Sequence, residues 1–429
     1  MEPVTIGLAA FAILLALTAL GTPLALSLIL VGFGGNLFFY DVAQTSTRFY
    51  ESLFDNATSF ILAAVPLFIF MGQLVHHSNI GRDLYECVYR WVGRVPGGLA
   101  ITAVLSCAGF GAVTGLSAAS VATMGAITMP EMKRYGYAPR FAAGSLAIAS
   151  TLAILIPPSL LMIIYGLWTE TSIGHLFIAG IVPGIMMTAA FCGYIYIRVV
   201  INPELGRRGE AFTLAEKFRS LFALLPIFFI FGIVIGGIYA GVLTVSEGAG
   251  VGSAAVMVLL VGMGRLNWKT IALAVRETCQ LTVMVMTIFI GATFFAKFLV
   301  VTDISYELVE FIEDISVNRY VVLLAFVVMY LFLGMVLDTI GMLLLTLPIV
   351  FPVITELGFD AIWFGIILTI LVEIALVTPP VGFNCFVLHQ IAPDIPLGQI
   401  FLGVMPFVMI ALGILAILTL FPGIVTMLL

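Results

Sequence analysis

The chain has 429 residues, 62% of them hydrophobic and only 9% charged, with a mean hydropathy of +1.22. That composition excludes a soluble globular protein and leaves no room for a soluble domain or a nucleic-acid partner. It reads as an all-α, polytopic helical membrane protein. The net charge of −6 carries little information, because charge is confined to loops.

In chain order, membrane helices are expected at 4–20, 23–40, 59–77, 140–167, 176–200, 219–240, 244–262, 278–301, 361–388 and 399–427. Residues 4–40 lack a basic leader region, so no cleavable signal peptide is expected there. Two shorter apolar pairs, 97–113 with 118–132 and 320–333 with 340–355, meet at small or polar residues and read as re-entrant hairpins. Segments 41–58 and 264–277 mix charges with aromatic residues; they read as amphipathic helices in the interface, or else as simple connections. The five cysteines form no CxxC pair and suit apolar helix packing.

One spacing organises the elements. Pro130 recurs as Pro352, Gly136 as Gly358 and Pro157-Pro158 as Pro379-Pro380, each 222 residues on. A double proline in an apolar helix removes backbone donors and breaks the helix. Finding it twice at one offset indicates two copies of one unit, each with a broken helix, the pattern that marks a transporter's binding site. The first repeat is read as 1–202 (scaffold 1–95, hairpin and broken-helix unit 96–202). A cytoplasmic linker at 203–218 leads to the second, 219–429 (scaffold 219–318, transport unit 319–429).

Basic residues set the sides. The stretches 82–94, 133–140, 198–219 and 265–276, all read as loops, hold fourteen of the 17 Lys and Arg, which places them in the cytoplasm and the N-terminus in the periplasm. The opposite side is acidic, with Asp303, Glu307, Glu310, Glu313, Asp314, Glu356 and Asp360. Because 131–140 is basic and 353–360 has no Lys or Arg, the repeats are expected to be inverted in the membrane.

An unpaired carbonyl in hydrocarbon costs several kcal/mol. The breaks free the carbonyls of Ala153–Ile156 and Ala375–Thr378, which a small hard cation such as sodium would satisfy together with hydroxyls at the hairpin tips. One sodium site per repeat is therefore expected. The first comprises Ser117, Ser120, Thr151, Ile154 and Pro157; the second comprises Gly334, Asp338, Ala375, Thr378 and Val381. Thr114, Ser159, Glu373 and Asn384 are the expected substrate-facing residues. Small residues such as Gly111 and Gly115 serve equally well for close helix packing. Asp338 and Glu373 stand out as ionisable groups within the membrane, whereas Glu247 reads as a helix-start cap and Lys297 as a snorkelling residue. The four histidines are expected not to cluster, so no metal other than sodium is expected. No catalytic constellation and no phosphate-binding Gly-x-x-x-x-Gly-Lys-Ser/Thr loop are present, so the chain reads as neither an enzyme nor an ATPase.

The stretch from Phe110 to Gly184, with its Pro157-Pro158-Ser159 segment, resembles the large membrane subunit of tripartite ATP-independent periplasmic (TRAP) transporters. The second half, with Thr378-Pro379-Pro380-Val381-Gly382, agrees. The resemblance covers essentially the whole chain and implies a sodium-coupled, elevator-type importer of a small organic acid in the bacterial inner membrane. The implied partners are a small four-helix membrane subunit and a periplasmic substrate-binding protein. The tip Thr114-Gly-Leu-Ser117 departs from the family's usual Ser-Gly-Ser-Ser-like form. A stand-alone sodium- or proton-coupled organic-anion symporter of the same superfamily is the alternative.

Overall fold

The computed structural model describes residues 3–314, 318–334 and 337–429. The expected Glu313 and Asp314 side chains lie outside what it describes. Among the described residues the chain is helical, with no strand.

The first half runs α1 (Pro3–Ala19), α2 (Leu24–Asn36), α3 (Val42–Thr58), α4 (Ala64–His76), α5 (Ile80–Val92), α6 (Gly98–Thr114), α7 (Ser117–Arg134), α8 (Pro139–Leu155), α9 (Leu160–Thr169) and α10 (Ile173–Ile201). In the second half, α11 (Leu214–Ser220), α12 (Leu225–Phe231) and α13 (Gly237–Tyr239) join through a 3-10 turn and a π turn into one 26-residue span. There follow α14 (Val245–Gly262), α15 (Trp268–Val301), α16 (Ile304–Asp314), α17 (Arg319–Leu333), α18 (Thr339–Glu356), α19 (Ala361–Ala375), α20 (Phe383–Ile391), α21 (Leu397–Leu420) and α22 (Gly423–Thr426). Six helices are long and apolar enough to cross a bilayer. The bent pairs α3–α4 (60°) and α8–α9 (41°) raise this to as many as eight among the described residues.

The 222-residue offset holds for the secondary structure. It carries α7 at 117–134 onto α18 at 339–356, α8 onto α19, α9 onto α20 and α5 onto α16. Gly136 and Gly358, one after each α7-type arm, share the left-handed backbone conformation, with φ of 70° and 74°.

Three expectations are corrected. The stretch 82–94 is largely the helix α5 rather than a loop; Ile80, Leu84, Tyr85 and Cys87 are buried while Arg82 and Glu86 face out, an amphipathic pattern. Segment 264–277 is not a separate interfacial helix: from its Asn267 cap, whose side chain accepts from Thr270 N at 2.8 Å, the chain continues unbroken as α15 for 34 residues. No glycine or proline lies between Trp268 and Val301 until Gly291, so nothing stops the helix. At about 1.5 Å per residue it outruns the roughly 30 Å hydrocarbon layer, and its start projects beyond it. Helix α2 ends at Asn36, short of residue 40. Segment 41–58 does form the expected amphipathic helix, α3. Asp41 caps it by accepting from Gln44 N at 2.7 Å, and Val42, Tyr50, Leu53 and Phe54 are exposed.

At the centre stand the first halves of the two broken helices. Every residue of α8 from Phe141 to Leu155, and of α19 from Trp363 to Ala375, is buried. A helix apolar all round belongs in the middle of a bundle, and α6, α7, α10 and α21 pack around α8.

Polar contacts tell which helix ends share a side. Arg140 Nη2 donates to the Leu402 carbonyl at 3.0 Å and Lys133 Nζ meets Asp394 at 2.7 Å. At the far end of α8–α9, Tyr165 Oη donates to the Ala361 carbonyl at 2.6 Å, and Trp363 Nε1 donates to the Leu418 carbonyl at 2.9 Å. The turns before α8 and before α19 therefore lie at opposite ends of the bundle, the relation expected of inverted repeats.

Candidate functional site

The two hairpins have turns of different make. In the first, α6 and α7 are joined by Gly115 and Leu116 alone. Gly115 takes φ 62°, and a β-carbon there would run into the Pro158 carbonyl of the first break. In the second, Asp338 caps α18, its Oδ2 accepting from the backbone N–H of Ile340 and Gly341 at 3.2 Å each. The close approaches repeat: a β-carbon on Gly111 would strike Ala153, and one on Gly334 would strike Ala375, the position 222 residues after Ala153. Small residues thus let each hairpin lie against its own broken helix.

Both tips and both breaks open on one cavity of 510 Å³. Gly115, Leu116, Ser117 and Ala118 come from the first tip, and Gly334, Leu337, Asp338, Thr339 and Ile340 from the second. Ile154, Leu160, Leu376, Val381, Phe383 and Asn384 come from the breaks. Leu281, Met284 and Val285 of α15 close the remaining side. Helices α7, α9, α18 and α20 all begin at this cavity, so their positive dipole ends face it. Among the described residues Asp338 is its acid, and no Lys, Arg or His lines it.

Asn384 ties the halves together. Its Nδ2 donates to Ser117 Oγ at 2.6 Å and to Ser150 Oγ at 3.0 Å, while its buried Oδ1 has no hydrogen-bond partner among the described residues. Of the expected residues, Ser117, Ile154, Gly334, Asp338, Val381 and Asn384 line the cavity. Ser120 and Thr151 are fully buried behind it: the Thr151 hydroxyl donates to the Ile148 carbonyl at 2.8 Å and Ser120 lies beside the Cys107 thiol. Pro157 is buried in the break itself. Thr114 lines a small adjoining pocket, and its hydroxyl bonds the Phe110 carbonyl at 3.1 Å. Ser159 is buried as the cap of α9, accepting from Met162 N at 3.4 Å. At the second break, the Ala375 carbonyl accepts from Thr378 N at 3.3 Å, and the Thr378 hydroxyl donates to the Ile374 carbonyl at 2.5 Å.

The structure does not place Glu373 at the cavity wall. It is fully buried in α19, and its carboxylate faces the Leu155 backbone at the first break. By the offset it corresponds to Thr151. Glu247 is the cap partner expected: Thr244 and Glu247 form a reciprocal capping box at the start of α14.

Two parts of the site, one behind the cavity and one in its wall, escaped sequence reading. Ser150, next to Thr151, carries a hydroxyl that Asn384 reaches; the Ser-Thr pair was the signal. The α15 wall had none, because Leu281, Met284 and Val285 look the same whether they face lipid or a cavity. The expectation that the histidines do not cluster is corrected as well: His76, His77 and Glu277 present ligating atoms within 4.8 Å of one another.

Two hairpins and two broken helices around a shared cavity are the architecture of a polytopic membrane transporter. The family described as "Tripartite ATP-independent periplasmic transporter, DctM component" matches residues 11–424, and the chain belongs to it. It is 36% identical over 375 residues, 87% of each chain, to the C4-dicarboxylate TRAP transporter large permease protein DctM of Pseudomonas aeruginosa. It is 32% identical, over 96% of each chain, to the ectoine/5-hydroxyectoine TRAP transporter large permease protein UehC of Ruegeria pomeroyi. To the sialic acid TRAP transporter large permease protein SiaM of Vibrio cholerae it is 29% identical over 95% of each. Its fold is like that of the YdaH transporter of Alcanivorax borkumensis, with a TM-score of 0.64 at 15% identity over 99% of this chain and 98% of that one. The protein is a multi-pass TRAP large permease subunit of the inner membrane.

Proposed function

We propose that this subunit imports a small organic acid by sodium-coupled elevator movement, receiving it from a periplasmic binding protein and working with a small four-helix membrane subunit. The observation that carries the reading is the shared cavity. An organic anion entering it meets four helix N-termini but, among the described residues, no basic side chain, and it meets Asp338. A carboxylate facing a carboxylate repels, so the arrangement calls for a cation between them. Sodium held by a tip and a break supplies it. The first site is assigned to Ser117, Ser120, Thr151, Ile154 and Pro157, and the second to Gly334, Asp338, Ala375, Thr378 and Val381. Ser117 and Asn384 would face the substrate. The relatives' named substrates, C4-dicarboxylates, sialic acid and ectoines, support a small polar acid-bearing solute as cargo.

In this reading, the hairpins and broken helices move as one body (96–202 with 319–429) against a scaffold (1–95 with 219–318), and the N-terminus is periplasmic. Moving whole, the body keeps its tip and break carbonyls covered by ions rather than by lipid.

The test is uptake into proteoliposomes holding both membrane subunits, with the binding protein added outside. Uptake should require the binding protein and should rise with sodium with a Hill coefficient above one. Uptake that needs no binding protein supports the stand-alone symporter instead, and uptake indifferent to sodium but driven by a proton gradient removes sodium coupling. Cysteines at 76 and 123, which sit in contact across α4 and α7, should halt transport when cross-linked. Normal transport by the cross-linked protein would defeat the elevator.

A further inference from the structure

Two histidines and a glutamate that transport leaves unused meet where α4, α15 and the hairpin arm α7 come together. We propose that His76, His77 and Glu277 form a binding site for a divalent transition metal of the Zn2+ class. Three observations carry this. One ligating atom from each residue lies within 4.8 Å of the others, with all three side chains partly buried. His77 Nε2 is 3.0 Å from Glu277 Oε2, and the two imidazoles stand edge to face with centroids 4.7 Å apart. Two imidazole nitrogens and one carboxylate, with a fourth position left for water, is a donor set that zinc and its neighbours accept. Magnesium and calcium, which demand oxygen ligands, are disfavoured.

The second observation is the support behind the ring. His76 Nδ1 lies 2.5 Å from Thr123 Oγ1 on α7. Histidines that ligate metals generally commit their other nitrogen to such a partner, which fixes ring orientation. With Nδ1 engaged, Nε2 is the nitrogen left for the ion. The third is placement. His76 ends α4, His77 caps it, and Glu277 lies in the tenth position of α15. A bound metal would staple together two helices 200 residues apart in sequence. A plain His77–Glu277 pair gives no reason for a second imidazole packed against the first.

The experiment uses the full-length protein in lipid nanodiscs, freed of any polyhistidine tag and treated with a chelator. Titration with Co2+ should give the visible absorption of a tetrahedral or five-coordinate complex at one ion per chain. Zn2+ should displace it and raise the melting temperature. His77→Ala and Glu277→Gln should each lose the absorption and the thermal response, whereas His175→Ala should keep both. Glu277→Gln retains shape and hydrogen bonding, so it separates ligation from misfolding; its metal-free melting temperature reports on folding. The proposal is overturned if the wild type shows no one-per-chain Co2+ complex. It is equally overturned if the complex persists in both His77→Ala and Glu277→Gln, or vanishes in His175→Ala. A drop in metal-free melting temperature on Glu277→Gln, with no metal response in the wild type, would identify an ion pair only.

Discussion

The two hairpin tips share a skeleton and differ in what they carry. The first is uncharged, closed by two residues, and stitched into the opposite repeat by Asn384. The second carries an acid, and Asp338 is exposed to the cavity rather than buried. The break behind the first tip is met by a carboxylate from the other half, Glu373, where the equivalent position in the first half is only a hydroxyl, Thr151. Duplication thus fixed the backbone geometry, while the polar groups diverged. Such an asymmetry puts the acid of the second repeat at the tip, exposed to the cavity, and the acid that meets the first repeat at its break, buried. The two should therefore answer differently to mutation.

The largest effect is expected at Gly115. Valine there must adopt a left-handed backbone, at roughly 1–2 kcal/mol, and its β-carbon meets the Pro158 carbonyl. Gly115→Val should abolish uptake and markedly lower the yield of folded protein. Leu337, the position 222 residues later, is not so constrained, and Leu337→Val should retain most uptake. Equal losses at both positions would show the tips to be more alike than the backbone indicates. Uptake assays and size-exclusion profiles of the two variants check this.

Asn384→Leu comes next. It leaves the Ser117 and Ser150 hydroxyls buried without their donor, and each such loss costs about 1–3 kcal/mol. Uptake should fall at least tenfold, roughly the effect of one lost interaction of 1.4 kcal/mol in the transport cycle. Asp338 then separates charge from capping. Asparagine caps a helix as well as aspartate does, whereas alanine costs about 1 kcal/mol. Asp338→Asn should therefore fold normally but need several-fold more sodium for half-maximal uptake, while Asp338→Ala should lose thermal stability as well. Unchanged sodium dependence in Asp338→Asn would reduce the residue to a cap.

Much of this architecture was legible in the sequence because its signals are local. Pro157-Pro158 and Pro379-Pro380 announce the breaks, and the spacing of Pro130 and Pro352 gives the repeat. Ser117, Asp338 and Asn384, which line the shared cavity, stood out in the sequence because polar residues in apolar runs are few. Two of the failures depended on neighbours distant in sequence, and one on a misleading local signal. Glu373 was expected to face substrate, but the packing of α8 against α19 hides it. His77 and Glu277 are 200 residues apart, and no local pattern joins them. The 264–277 stretch was assigned by its polarity, yet helix continuity follows from the lack of a breaker, so polarity misled.

The smallest effect is expected behind the first tip, and it tests whether that tip's arm belongs to a single rigid unit. Lys133, near the end of α7, meets Asp394, between α20 and α21, at 2.7 Å; the second arm has Thr355 at the corresponding position, so this tie is again one-sided. The hydrogen bond from Lys133 holds the Asp394 carboxyl below its usual range. A depressed carboxylate pKa contributes stability above the unfolded value near 3.9, and that contribution is lost as the pH falls through the folded value. Asp394→Asn should therefore lose this contribution at neutral pH, a small loss because an exposed pair is worth little, and should converge with the wild type at the acid end, where the wild type has lost it too. If α7 and α20–α21 travel together, the distance between these residues never changes during transport. A disulfide between cysteines at 133 and 394, in a background lacking the five native cysteines, should then leave the uptake rate as it was. A cross-link that stops uptake would split the moving body between the two repeats, and the first tip would then move without its counterpart.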